Sequence, residues 1–261
     1  MLHTEGLTKR FGGIVAVDSV DFELEAGELT SLIGPNGAGK TTFFNLLTGA
    51  LRPTEGTITF EGRDITNTSP QETALLGIHR SFQITNIFPN STVLENVRIA
   101  SQAHSNSSWR FWRNVNTYSD QIEEAHRILE RVGLAERTHE LAAALSHGEK
   151  RKLEVAIALA GDPEVLLLDE PNAGVSSESV GDIITLIEDV AEDHAVLLVE
   201  HNMDIVMTVS DRIVVLNQGS VIADDVPEQV RGDPKVQQVY LGAYDAGATE
   251  DTDSGGEEGV A

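Results

Sequence analysis

One nine-residue stretch constrains this chain more than any other: Gly34-Pro35-Asn36-Gly37-Ala38-Gly39-Lys40-Thr41-Thr42. It fits G-x-x-x-x-G-K-[ST], the phosphate-binding P-loop. The run Leu29–Ile33 before it reads as a buried strand, and Thr42–Leu47 after it as the first turns of a helix. Strand, glycine-rich turn and helix N-terminus are the context the motif requires. Glycines allow backbone N–H groups to curl around a phosphate with no side chain in the way. In such a loop Lys40 bridges the β- and γ-phosphates, and Thr41 offers its hydroxyl to Mg²⁺. The chain is therefore expected to bind a nucleoside triphosphate.

The remaining sequence organises around that loop. Val20, Phe22 and Leu24 alternate with Asp21, Glu23 and Glu25, the period-two pattern of a strand with one wet face. Phe11, in Lys9-Arg10-Phe11-Gly12-Gly13, is expected in a loop between early strands, where spacing leaves a core or turn aromatic and a functional one equally open. Thr57–Phe60 reads as a strand followed by the turn Glu61–Asp64, and Ile78–Gln83 as a strand ending on a glutamine. From about Thr92 to Val132 the pattern is helical, with Ile122, Ala125, Leu129 and Val132 on one face. The polar segment Ser101–Asp120 interrupts it and carries Trp109, Phe111 and Trp112. Those aromatics either fold back on the helices or form a docking edge.

Ser146 and Glu149 fit an S-x-x-E capping box for a helix over Lys150–Ala160, which accounts for the serine structurally. Val165–Leu168 is a continuous apolar run ending in Asp169 and Glu170, as expected of a strand buried on both faces. A helix over Val180–Val190, a strand over Ala195–Val199 and His201 repeat the scheme. Strands alternating with helices imply an α/β fold whose mostly parallel sheet is covered on both faces, with ligands at the carboxyl ends of its strands. Gly34, Gln83, Asp169, Glu170 and His201 all follow expected strands and could converge there.

Charge and composition exclude several function classes. There are 42 acidic and 18 basic residues, a net charge of −24, and no cysteine, so disulfides and thiolate metal sites are ruled out. The segment Asp245–Ala261 has acids and no Lys or Arg, and reads as a solvating, disordered tail. The rest is acidic too, and lysine is scarce: Lys9, Lys40, Lys150, Lys152 and Lys235. Such a surface repels nucleic acid and anionic headgroups. It resembles proteins of high-salt cytoplasm, where screening removes the self-repulsion. No apolar run reaches the ~20 residues needed to span a bilayer, and no secretory apolar region opens the chain. Neither export nor spanning of a membrane by this chain alone is expected.

The P-loop, strand-end glutamine, Leu-Ser-x-Gly-Glu at 145–149, apolar-Asp-Glu-Pro at 168–171 and strand-end histidine together resemble the ATPase subunit of ABC transporters over roughly residues 1–241. The stretches Phe11–Val17, Arg80–Gln83, Val93–Val97 and Val239–Gly242 look most like the ATP-binding subunit of branched-chain amino acid importers, a texture shared with urea-importer and lipopolysaccharide-exporter ATPases. The resemblance implies a P-loop NTPase core with an N-terminal antiparallel β subdomain and a helical subdomain at about 84–160, followed by the acidic tail 242–261.

It also implies roles and partners. Such subunits pair head to tail, so that Ser146, Gly148 and Glu149 of one chain meet the nucleotide bound by the other. Asp169 and Gln83 would join Thr41 at Mg²⁺, Glu170 would deprotonate the attacking water, His201 would contact the γ-phosphate, and Phe11 would stack on adenine. The implied partners are transmembrane permease subunits, a second ATPase subunit and an extracytoplasmic substrate-binding protein, at the cytoplasmic face of the membrane. The chain departs from the family pattern at Ser176, where aspartate is frequent, at Lys150, where glutamine is common, and at Phe11, where tyrosine is usual. Soluble ABC ATPases of repair or translation carry long coiled-coil insertions or fused ATPase halves, which this sequence lacks.

Overall fold

The computed structural model describes residues 1–80, 87–104 and 115–240. Two sheets divide the strands. A four-stranded antiparallel sheet has the order β2-β1-β4-β5, from β1 (Leu2–Phe11), β2 (Ile14–Leu24), β4 (Glu55–Phe60) and β5 (Arg63–Asp64). A six-stranded sheet has the order β10-β9-β3-β8-β7-β6, from β3 (Leu29–Ile33), β6 (Ile78–Arg80), β7 (Val165–Asp169), β8 (Ala195–Val199), β9 (Arg212–Asn217) and β10 (Ser220–Asp225). Every pairing in the larger sheet is parallel except β9 with the edge strand β10.

Burial explains why three strands lack alternation. All five positions of β3, β7 and β8 are buried, because both sheet faces are covered. Val165 and Leu167 of β7 pack with Phe43 and Phe44 of α1 (Lys40–Leu47) and with the inner face of the smaller sheet, where Phe22 meets Phe43 edge to face at 5.3 Å. Leu166 and Leu168 point the other way, into a core built from α3 (Val93–His104), α4 (Val115–Arg131), α5 (His147–Leu159) and α6 (Ser177–Ala191). Ala125, Leu129 and Val132 are buried in that core as their helical spacing requires, while Ile122 is half-buried.

Some boundaries differ from expectation, for local reasons. Phe11 is not in a loop. It ends β1 and pairs with Ile14, because Gly12-Gly13 makes a two-residue turn with Gly12 at φ 59°. Only Glu61-Gly62 turns between β4 and β5, so Arg63 and Asp64 pair with Phe60 and Thr59. Helix α5 begins at His147, not Lys150, since its capping box sets the start. Among the helices not anticipated from the sequence are α2 (Pro70–Leu75), α7 (Met203–Val209) and α8 (Pro227–Gly232). Ser69-Pro70-Gln71-Glu72 carries a capping box and a proline at the first turn, the signal that could have revealed α2. Gln83, the Trp109–Trp112 stretch and the acidic tail lie outside the described residues.

Candidate active site

Strand β3 delivers the chain to Gly34 beside β9, and the loop closes on α1. A Cβ on Gly34 would sit 2.1 Å from the Leu216 carbonyl oxygen, and one on Gly39 2.2 Å from that of Ala16, so neither position admits a side chain. Gly39 is the N-cap of α1 at φ 106°, and no side chain caps the helix. The first turn of α1 thus keeps its N–H groups and positive dipole end for an anion. Lys40 folds back over the loop, its Nζ donating to the carbonyls of Gly34 at 2.6 Å and Pro35 at 3.2 Å. Only 7% of this residue is exposed. Burial holds its ammonium below the usual lysine range, while the charges of Glu170 and Asp169 pull it back up.

Two neighbouring strands supply the acid and the histidine. Glu170 follows β7 with φ 49°, an uncommon left-handed conformation for a residue with a side chain. Its N–H donates to the Val199 carbonyl at 2.9 Å, which fixes the exit of β7 against that of β8. Across this junction Glu170 Oε1 and His201 Nε2 lie 2.6 Å apart. Asn36, Gly37, Ala38, Gly39, Lys40, Thr41, Thr42, Glu170 and His201 line one open cavity of about 280 Å³, with Ala16 and Val199 completing its wall.

Asp169 does not line this cavity. Its buried carboxylate accepts from Arg80 Nη2 at 2.6 Å, one step along the strand end from Glu170. The oxygen donors near the phosphate loop, the Thr41 hydroxyl and the Asp169 carboxylate, are the hard ligands that Mg²⁺ takes. Phe11 also stands apart from the cavity wall, 47% exposed at the end of β1 with Lys9 Nζ 5.2 Å from its ring centre.

Over residues 17–173 the sequence matches the ABC transporter family, and over residues 220–246 the branched-chain amino acid ATP-binding cassette transporter family. This chain belongs to the ABC transporter family. It is 41% identical over 250 residues to the high-affinity branched-chain amino acid transport ATP-binding protein LivG of Salmonella typhimurium, covering 93% of this chain and 98% of that one. With the corresponding BraF protein of Pseudomonas aeruginosa it shares 40% over 252 residues, again 93% and 98% of the two chains. Among solved structures, the ADP conformation of an ABC-transporter ATP-binding cassette superposes with a TM-score of 0.81 at 33% identity, covering 93% of this chain and 98% of that one. A nucleotide-free cassette gives 0.79 at 32%, with 92% and 98% covered.

In this ABC ATPase Ser146, Gly148 and Glu149 lie at the start of α5 and do not line the cavity. Ser146 is the N-cap of α5, its Oγ accepting from Glu149 N–H at 3.3 Å while Glu149 Oε2 accepts from Ser146 N–H at 2.8 Å. That backbone bond holds the Glu149 carboxyl below the ordinary range. Gly148 is buried against the first turn of α6, where a Cβ would meet Ser179 at 3.1 Å. Other residues beside the site have no role assigned from the sequence. Arg80 bridges Asp169 and Asn45, and Glu200, beside His201, accepts from Asn172. Glu200 adjoins His201 in sequence, and Arg80 opens the stretch that ends on Gln83.

Proposed function

We propose that this subunit hydrolyses ATP to energise a membrane importer of branched-chain amino acids. The observation that carries the chemistry is the single cavity holding Lys40, the uncapped start of α1, Glu170 and His201. The α1 N–H groups and Lys40 would hold the β- and γ-phosphates. Water attacks the γ-phosphorus, the bond to the β–γ bridging oxygen breaks to leave ADP, and Glu170 takes the proton that water loses. His201, touching Glu170, would orient that carboxylate and contact the γ-phosphate. Thr41, Asp169 and Gln83 would hold Mg²⁺, which supplies neutralisation of phosphate charge. Ser146, Gly148 and Glu149 would face the nucleotide of a second subunit, and Phe11 the adenine.

The cargo reading rests on the names of the relatives and on the match at residues 220–246. No helix among the described residues is long and apolar enough to cross a membrane, so permease subunits would carry the pathway. We place the subunit at the cytoplasmic face of the membrane, with a substrate-binding protein delivering the solute outside.

The test is ATPase activity of the complex reconstituted with permease and binding protein. Leucine, isoleucine or valine should stimulate turnover, whereas stimulation by urea alone would overturn the cargo. Glu170→Gln should retain nucleotide and lose turnover by about 10²-fold or more. Near-normal turnover would remove Glu170 from the base role.

A further inference from the structure

We infer that Glu200 is a positioning residue for hydrolysis, tying the loop after Glu170 to the backbone of His201 so that the two catalytic side chains keep one relative placement. The inference rests on the reading of Glu170 and His201 given above. Glu200 directly follows β8 and is 6% exposed. Its Oε1 accepts from the Asn172 N–H at 3.3 Å and from Asn172 Nδ2 at 3.0 Å, and its Oε2 accepts from the His201 N–H at 3.2 Å. Among the described residues its hydrogen-bond partners are three N–H donors and no cationic side chain.

That pattern explains why an acid stands here. Burying a carboxylate without a counter-charge is unfavourable, and an amide of the same shape would avoid the charge. Every partner, however, is a donor, and only a carboxylate presents two acceptor oxygens. A glutamine at this position must turn its NH₂ toward one of those N–H groups and lose that end of the tie. Asn172 bears out the constraint: its Nδ2 is committed to Glu200 while its Oδ1 is buried with no partner.

The placement gives the tie a consequence. Glu170 is anchored on one side by its own N–H to Val199 and on the other by the turn in which Ala173 N–H donates to the Glu170 carbonyl at 3.0 Å. Glu200 holds the middle of that turn at Asn172 and, by its second oxygen, accepts from the backbone N–H of His201. A displacement of the 172–175 loop is therefore transmitted to His201 through one side chain. The 2.6 Å contact between Glu170 and His201 depends on both halves of the clamp.

The experiment compares Glu200→Gln, Asn172→Ala, His201→Ala and the Glu200→Gln/His201→Ala pair in the reconstituted complex. It measures kcat, KM for ATP, nucleotide affinity by fluorescent ATP-analogue titration, and melting temperature. Expected is a kcat loss of about tenfold for Glu200→Gln with KM and affinity changed less than about twofold, the signature of an interaction used in turnover rather than in binding. Adding Glu200→Gln to His201→Ala should cost almost nothing more, because both act through one group. Asn172→Ala should lower kcat less than Glu200→Gln does.

Additive losses, an unchanged kcat in Glu200→Gln, or a parallel fall in melting temperature and nucleotide affinity would each overturn the assignment. Wild-type turnover in His201→Ala would overturn the underlying reading of His201 and this inference with it. A His201→Ala loss that Glu200→Gln fails to reproduce would overturn this inference alone.

Discussion

Arg80, at the end of β6, reaches across the sheet to Asp169, at the end of β7, with Nη2 2.6 Å from Oδ2. Nη1 donates to Asn45 Oδ1 of α1 at 2.6 Å, and the guanidinium lies 4.9 Å from the Phe44 ring centre. The residue thus joins the strand leading toward Gln83, the acid expected to hold Mg²⁺, and the helix that follows the phosphate loop. Asp169 is 4% exposed, and Arg80 is the cation in direct contact with it in the structure described. Removing one member of a buried pair leaves the other uncompensated, a loss of about 3–5 kcal/mol. Arg80→Met should lower stability by that order in urea unfolding. Arg80→Lys should fall between, since an ammonium cannot bridge Asp169 and Asn45 as a planar fork does. An Arg80→Met protein as stable as wild type would show that Asp169 finds another partner.

The contrast between Asp169 and Arg80 shows what the sequence could and could not reveal. Asp169 was legible because four consecutive buried positions, Val165–Leu168, leave a continuous apolar run, and an acid at its end stands out. The phosphate loop and the α5 cap were legible because their chemistry is confined to a few adjacent residues. Arg80 and Glu200 act across strands β6–β7 and β7–β8, and which strands adjoin is decided by packing of the whole sheet. The β9–β10 hairpin at the far edge did carry a local signal, the apolar runs Ile213–Leu216 and Val221-Ile222 around a glycine turn, and was overlooked; its Gln218-Gly219 turn has both residues at positive φ.

Lys40 sets ligand binding against stability. Burial lowers its pKa in the fold below that of the unfolded chain, Glu170 and Asp169 only partly offsetting this. The unfolded state then binds more protons, so this group's contribution to stability is unfavourable below the folded pKa and improves as pH rises toward the unfolded value of about 10.4. Lys40→Met removes the buried charge but also strips a donor from the Gly34 and Pro35 carbonyls. These effects oppose, and the nucleotide-free variant should lie within about 1 kcal/mol of wild type. Saturating ATP stabilises wild type by about 2.7 kcal/mol at one hundred times Kd, and that increment should vanish in the variant. Calorimetry with and without nucleotide measures both, and a retained ATP-induced shift would remove Lys40 from phosphate binding.

Tyr240 packs on the core cluster of Ile33, Val206, Ile213 and Val215, behind the phosphate loop. Burial pushes its phenol up to about 12, with a hydrogen bond from the Gly34 backbone acting weakly the other way. A phenol that keeps its proton in the fold contributes stability in full below the unfolded pKa of about 10 and loses it as pH rises through the folded value. Ultraviolet titration of wild type minus Tyr240→Phe should therefore isolate one phenolate transition near 12. A difference transition near 10 would mean that Tyr240 is solvated rather than packed against the loop.

Salt should stabilise this fold. The net charge is −24, and many of the few basic groups are already engaged: Arg131 with Asp189 and Asp193, Arg212 with Asp224 and Glu28, Arg151 with Glu154, Lys152 with Asp182. The surplus carboxylates have no cations left to offset them and repel one another across the surface. At 0.1 M salt that repulsion reaches about 10 Å, and at 1 M about 3 Å, shorter than the spacing of most surface charges. Screening weakens the exposed ion pairs as well, but such pairs contribute only about 0–1 kcal/mol each, so relief of the excess charge dominates. The urea midpoint should rise steadily between 0.1 and 2 M KCl. It should rise comparably in NaCl, because screening depends on ionic strength and not on the cation. A midpoint that falls over this range would show that paired charges, rather than the unpaired acids, govern the surface energetics.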